Sequence, residues 1–129
     1  MNIYDLHVIL VQSLGIEVTM QDNYIISHWK IGNTIDKEIL YFIDEQAGLL
    51  YISTNFGEIN PDHAFLIKLL KENLKLSMVK YCMDKDDAIM AMVELPADIV
   101  SDEALRHGIY AVYNATERFF ELLAETSEA

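Results

Sequence analysis

The chain has 129 residues, a length that one hydrophobic core can stabilise without disulfides or metals. Its formal net charge is −12, from 21 acidic and nine basic side chains, and 11 of those acids lie in residues 84–129 against three bases. A phosphate backbone or an anionic membrane surface needs clustered Lys and Arg, so the charge argues against nucleic acid and membrane as partners and leaves solubility, or a basic protein client, as its use.

Apolar residues make up 52% of the chain and the mean hydropathy is +0.14, slightly high for a small soluble domain. Cys82 is the single cysteine, so no internal disulfide can form. No basic segment precedes an apolar stretch at the N-terminus, and no apolar run approaches the length of a membrane span. These features point to the cytoplasm.

In chain order, Ile3, Leu6, Leu10 and Leu14 recur at helical spacing and predict a helix over 3–14, capped by Asn2 and ended by Gly15 in a left-handed conformation. Three strands follow: Tyr24 to Ile31, Glu38 to Asp44 and Leu49 to Phe56, with breaks at Gly32-Asn33 and at the Gly-containing turn 44–48. The second is almost wholly apolar (Ile39, Leu40, Tyr41, Phe42, Ile43), a pattern expected of a strand covered on both faces.

Asn60-Pro61-Asp62 predicts a helix start, with the helix running to about Asn73 or Leu76. Its apolar set (Phe65, Leu66, Ile67, Leu69, Leu70, Leu74) is wider than one stripe, which predicts burial on more than one side. Strands at Met78 to Met83 and Ala88 to Leu95 flank the turn Asp84-Lys85-Asp86-Asp87. A long amphipathic helix begins near Ser101, where Leu105, Ile109, Val112, Thr116, Phe119 and Leu123 step by threes and fours; the tail after Ala124 is expected to fray. The order α-β-β-β-α-β-β-α, with residues 1–129 forming one domain, suits an α+β fold in which helices pack on an antiparallel sheet.

Chemistry-bearing patterns are sparse. His7, His28, His63 and His107 stand at no recognised ligand spacing, so no metal and no cofactor is expected. The 84–87 turn resembles the start of a calcium loop, but Ile89 and Leu95 occupy the positions that need Gly and Glu. Cys82 sits in an apolar strand with no neighbouring His, the setting of a small core residue rather than a nucleophile. There is no phosphate-cradling glycine loop and no nucleophile elbow, so the expectation is not an enzyme. Met78, Met83, Met90 and Met92, and the aromatics Tyr110, Tyr113, Phe119 and Phe120, fit either core filling or an adaptable binding face.

The element order resembles that of type III secretion chaperones and of YbjN-type proteins. The likeness is carried by Leu69-Leu70-Lys71-Glu72-Asn73-Leu74 at a helix end, the Asp-bearing hairpin at 84–87, Glu94-Leu95-Pro96 closing a strand, Ser101-Asp102-Glu103-Ala104-Leu105 opening the long helix, and Leu14-Gly15. Asp86-Asp87 stand where the family often has Asp-Gly.

The resemblance implies a homodimer that holds an extended segment of another protein. Leu66, Leu70 and Leu74 are then the candidates for self-association. Two other readings stay open: a small-molecule or enzymatic pocket built from His28, Trp29, Cys82 and Glu94 if they converge, and an accessory subunit of a larger bacterial assembly.

Overall fold

A computed structural model describes residues 1–57 and 62–127. Helix α1 (Ile3–Val8) continues into a π-helical turn (Ile9–Ser13) and is followed by strands β1 (Val18–Met20), β2 (Tyr24–Ile31), β3 (Ile35–Asp44) and β4 (Leu49–Asn55). Helix α2 (His63–Glu72), β5 (Val79–Met83), β6 (Ile89–Pro96) and α3 (Asp102–Ser127) complete the chain. The strands form one antiparallel sheet in the order β1-β2-β3-β4-β6-β5. The α+β architecture and the expected order of elements are therefore observed, with one short edge strand, β1, added ahead of the predicted three.

Local chemistry explains most boundaries. Asn2 and Asp5 form a reciprocal capping box at the start of α1. The helix predicted to Leu14 is α-helical only to Val8, because the last amides reach one residue further back, Leu14 N donating to Ile9 O. Gly15 ends it at φ +67°, the left-handed conformation expected of it. Asn60 and Pro61 lie outside the described residues; the observed cap of α2 is Asp62, whose Oδ1 accepts from Phe65 N at 2.9 Å. Ser101 Oγ accepts from Ala104 N and starts α3. The tail expected to fray instead stays helical through Ser127, tied by Thr126 Oγ1 to Leu122 O and by Arg118 to Glu125. In the β5–β6 hairpin Asp84 Oδ1 accepts from Asp86 N and Ala88 N, and Asp87 takes the left-handed φ of 63° that a glycine would otherwise supply.

The core lies between one face of the sheet and the helices. Ile25, Ile39, Tyr41, Leu50, Ile52, Ala91 and Val93 project from the strands towards Leu6 and Leu10 of α1 and towards Leu105, Ile109, Val112, Ala115 and Phe119 of α3. The long helix can approach closely because a Cβ at Gly108 would stand 3.1 Å from Ile52 Cδ1. Phe119 is the hub: its ring stacks on Phe56 at 3.8 Å between centroids and meets Phe65 edge-on at 5.6 Å. Helix α2 is clasped to α3 by the half-buried Arg118, which donates from Nε to Glu72 Oε1 at 2.8 Å and also meets Glu121 and Glu125.

Two expectations about coverage are corrected. Strand β3 is apolar on both faces, yet only Ile39, Tyr41 and Ile43 face the core; Phe42 is exposed on the opposite face, which no described helix covers. Helix α2 buries Phe65 and Leu69 but leaves Ile67 and Leu70 exposed, with Leu74 exposed in the turn just after it. In each case the second apolar surface lacks a cover among the described residues.

Phe119→Ala is expected to cost about 3–5 kcal/mol in urea unfolding, through lost burial and the cavity left among the three rings. Glu72→Gln should cost about 1.5–3 kcal/mol at pH 7, because Arg118 Nε loses its charged acceptor while Glu121 and Glu125 still meet the other end of the guanidinium. The Arg118 hydrogen bond holds the Glu72 carboxyl below its ordinary value. Its contribution is thus complete above the unfolded carboxyl's titration and is lost as pH falls through the depressed one. The gap between wild type and Glu72→Gln, measured by unfolding across pH, should therefore narrow in acid.

Candidate functional site

The four residues of the proposed pocket do not converge. His28 and Trp29 are sequential in β2 and point to opposite faces. His28 is exposed on the open face, 3.9 Å from Glu38, in a shallow depression with Asp36, Leu40, Ser53 and Met90. Trp29 turns to the helix side, where its ring meets Tyr113 edge-on at 6.0 Å and its Nε1 donates to Ser27 Oγ at 2.6 Å. Ser27 Oγ also bonds the hydroxyl of the buried Tyr41, and burial pushes that phenol up to about 12. Trp29 thus serves a buried polar cluster of the fold.

Cys82 and Glu94 do come together, with Met78, Lys80 and Met92, in a second depression on the open face near β5. Burial, with smaller contributions from Glu94 and Asp84, pushes the Cys82 thiol up, away from the thiolate that nucleophilic chemistry needs. Among the described residues, no group of three or more His, Cys, Asp or Glu could hold a metal ion. No helix among them is long and apolar enough to cross a membrane.

The candidate self-association residues separate into two roles. Leu70 is 65% exposed and Leu74 is 90% exposed. Together with Ile67 they form a stripe on the side of α2 away from α3. Leu66 is partly buried and lines an adjoining groove of about 220 Å³ with Leu69, Leu70, Tyr81, Cys82, Met83 and Ile89. The groove is almost wholly apolar and carries no charged group.

Sequence reasoning missed a second apolar stripe. Tyr4, Val8 and Val11 are exposed on α1 and its π-helical extension. Their spacing of four and then three residues is itself a helical periodicity, but Leu6 and Leu10 supplied a stronger one.

No protein-family model matches the chain, and no curated protein matches it. Solved structures do. The chain is similar to one in the heterodimeric complex ExoU–SpcU from the type III secretion system of Pseudomonas aeruginosa, with a TM-score of 0.63 and 17% identity over 88% of this chain and 93% of that one. It is also similar to a chain of the HopA1–SchA chaperone–effector complex, with a TM-score of 0.57 and 18% identity over 84% of each. The fold is that of the type III secretion chaperones, as the element order had implied.

Because its thiol is shifted upward, Cys82 of the folded protein is expected to react with iodoacetamide more slowly than an unfolded-chain cysteine at pH 7.4. Mass spectrometry over time, with and without urea, measures the difference.

Proposed function

We propose that this chain is a non-catalytic protein-binding module of the chaperone or regulatory kind, one domain over residues 1–129, acting as a homodimer that holds a segment of another protein. The observation that carries the proposal is the apolar surface of α2, where Leu70 and Leu74 stand in water at 65% and 90% exposure beside a groove lined by Leu66. Scattered exposed leucines need no explanation, but a helical stripe contiguous with an apolar groove is the form of an interface core. A second copy presenting the same stripe would bury it symmetrically.

The fold of the two solved relatives supports the same reading, since one is described as a chaperone–effector complex and the other as a heterodimeric complex of a secretion system. A YbjN-type regulator would use the same architecture. The client would be met elsewhere than on α2. Among the described residues, the Tyr4, Val8 and Val11 stripe and the apolar part of the open sheet face (Leu40, Phe42, Tyr51, Met90, Met92) are two further apolar surfaces that no helix covers. An extended segment could lie there by groove binding or strand addition. The charge of −12 favours a client with basic residues beside its apolar anchors. Action in the cytoplasm fits a protein whose one cysteine has no partner for a disulfide. An accessory subunit of a larger bacterial assembly would use the same surfaces, and co-purification from the native host separates the two.

Leu70→Glu combined with Leu74→Glu is expected to turn a dimer into a monomer in sedimentation velocity, with the far-ultraviolet circular dichroism unchanged because both side chains are exposed. A wild-type protein that sediments as a monomer at all concentrations would sink the homodimer. Capture of a protein by the wild type from native lysate, identified by mass spectrometry, and its loss in Val8→Glu/Val11→Glu, tests the client site on α1.

A further inference from the structure

Of the two strands at the margins of the sheet, one is shut by a side chain and the other is open. Strand β5 pairs only with β6. The hairpin bond from Asp84 N to Ala88 O fixes the alternation, so Cys82 and Lys80 turn their backbone groups to β6 and Tyr81 turns its own outward. An outward-facing amide and carbonyl in mid-strand are what a partner strand engages.

Here both are already taken. Tyr81 N donates to Asn73 Oδ1 at 2.8 Å, and Asn73 Nδ2 donates back to Tyr81 O at 3.1 Å. One carboxamide thus makes the paired bonds that a neighbouring strand would make. Of the outward amides on either side, Val79 N donates to Ser77 O, and Met83 N, at the last residue of the strand, has no described partner. The ammonium of Lys80 holds the segment that carries Asn73 in place, donating to Asn73 O and Leu76 O at 2.8 Å each.

Strand β1 has no such cover. Gln21 N donates to Tyr24 O, which by the same alternation turns Val18 and Met20 outward, and no described residue bonds their outward groups.

We propose that Asn73 is an edge lock: it fills the place of a partner strand on β5, so that the sheet can be lengthened at β1 but not at β5. The lock keeps strand pairing with a second copy of the chain away from β5, whatever contacts α2 makes through its side chains. It does not depend on the helix stripe being an interface.

The test uses the full chain carrying Leu70→Glu and Leu74→Glu, so that association through α2 is out of play. Adding Asn73→Ala should raise amide hydrogen exchange at Tyr81 by about tenfold or more, while Lys80 and Cys82, which face β6, keep their protection. It should also produce concentration-dependent association in sedimentation velocity that the background protein lacks. Unchanged exchange at Tyr81 overturns the proposal, and so does faster exchange with no new association. If Asn73→Ala fails to fold, Asn73→Leu carries the test. It is near-isosteric but has neither the acceptor for Tyr81 N nor the donor for Tyr81 O, so Tyr81 should lose protection and association should appear. A protein that remains unassociated overturns the proposal.

Discussion

The packing of α3 against one face of the sheet is the constraint on which the rest depends. Phe119 sits at its centre, stacked on Phe56 and meeting Phe65, so a loop residue after β4, α2 and α3 share one aromatic contact. Gly108 lets the same helix close on Ile52, Val93 and Leu95 further along. With α1 laid beside it on the same side, the three helices use up one face of a six-stranded sheet. Apolar side chains beyond that layer find no cover among the described residues. The open β3 face, the outer side of α2 and the Tyr4, Val8 and Val11 stripe are therefore results of one architectural choice. With 52% apolar residues, this two-layer fold leaves some of its apolar side chains outside the one interlayer core.

That surplus is the physical content of the proposed function. A binding module needs apolar area held in a fixed shape and kept soluble. The shape here is fixed by the aromatic hub and by the Arg118–Glu72 clasp. The acidic excess, much of it on the exposed side of α3 and in the 84–87 hairpin, is what would keep such a surface in solution. The chemistry of a reactive centre is not assembled from the candidates that the sequence offered. His28 and Trp29 are directed to opposite faces by the strand they share, and the thiol of Cys82 is moved away from reactivity by its own burial.

Much of the fold was legible because its signals are local. The 105–123 periodicity named the buried face of α3, and Gly15 and the 84–87 turn fell where they were read. Strand β1 was not legible: three residues, Val18 to Met20, are too few to show alternation, and they become a strand only by pairing with β2. Coverage was also illegible. The apolar breadth of α2 and β3 was read rightly, but composition cannot say whether a second side is buried by this chain or left for another. The α2 candidates survive as a proposal for that reason, and the polar candidates did not converge because convergence depends on which strand face each occupies. The sequence marked Asn73 only as part of a helix end, since the role proposed for it needs the turn after α2 to fold back beside β5.

Tyr81 gives the sheet a mechanical asymmetry. Its backbone is tied to the end of α2, and its hydroxyl, buried beneath the sheet, donates to Ala115 O in the middle of α3 at 2.6 Å. A marginal strand normally peels first, yet this one is riveted to two helices, while the opposite margin is three residues whose one strand partner is β2. One margin of the sheet is thus tied to two helices by hydrogen bonds and the other rests on one strand pairing and on the packing of Val18 and Met20. The molecule's slow opening motions should begin at the β1 margin and spread inward, with β5 among the last elements to let go.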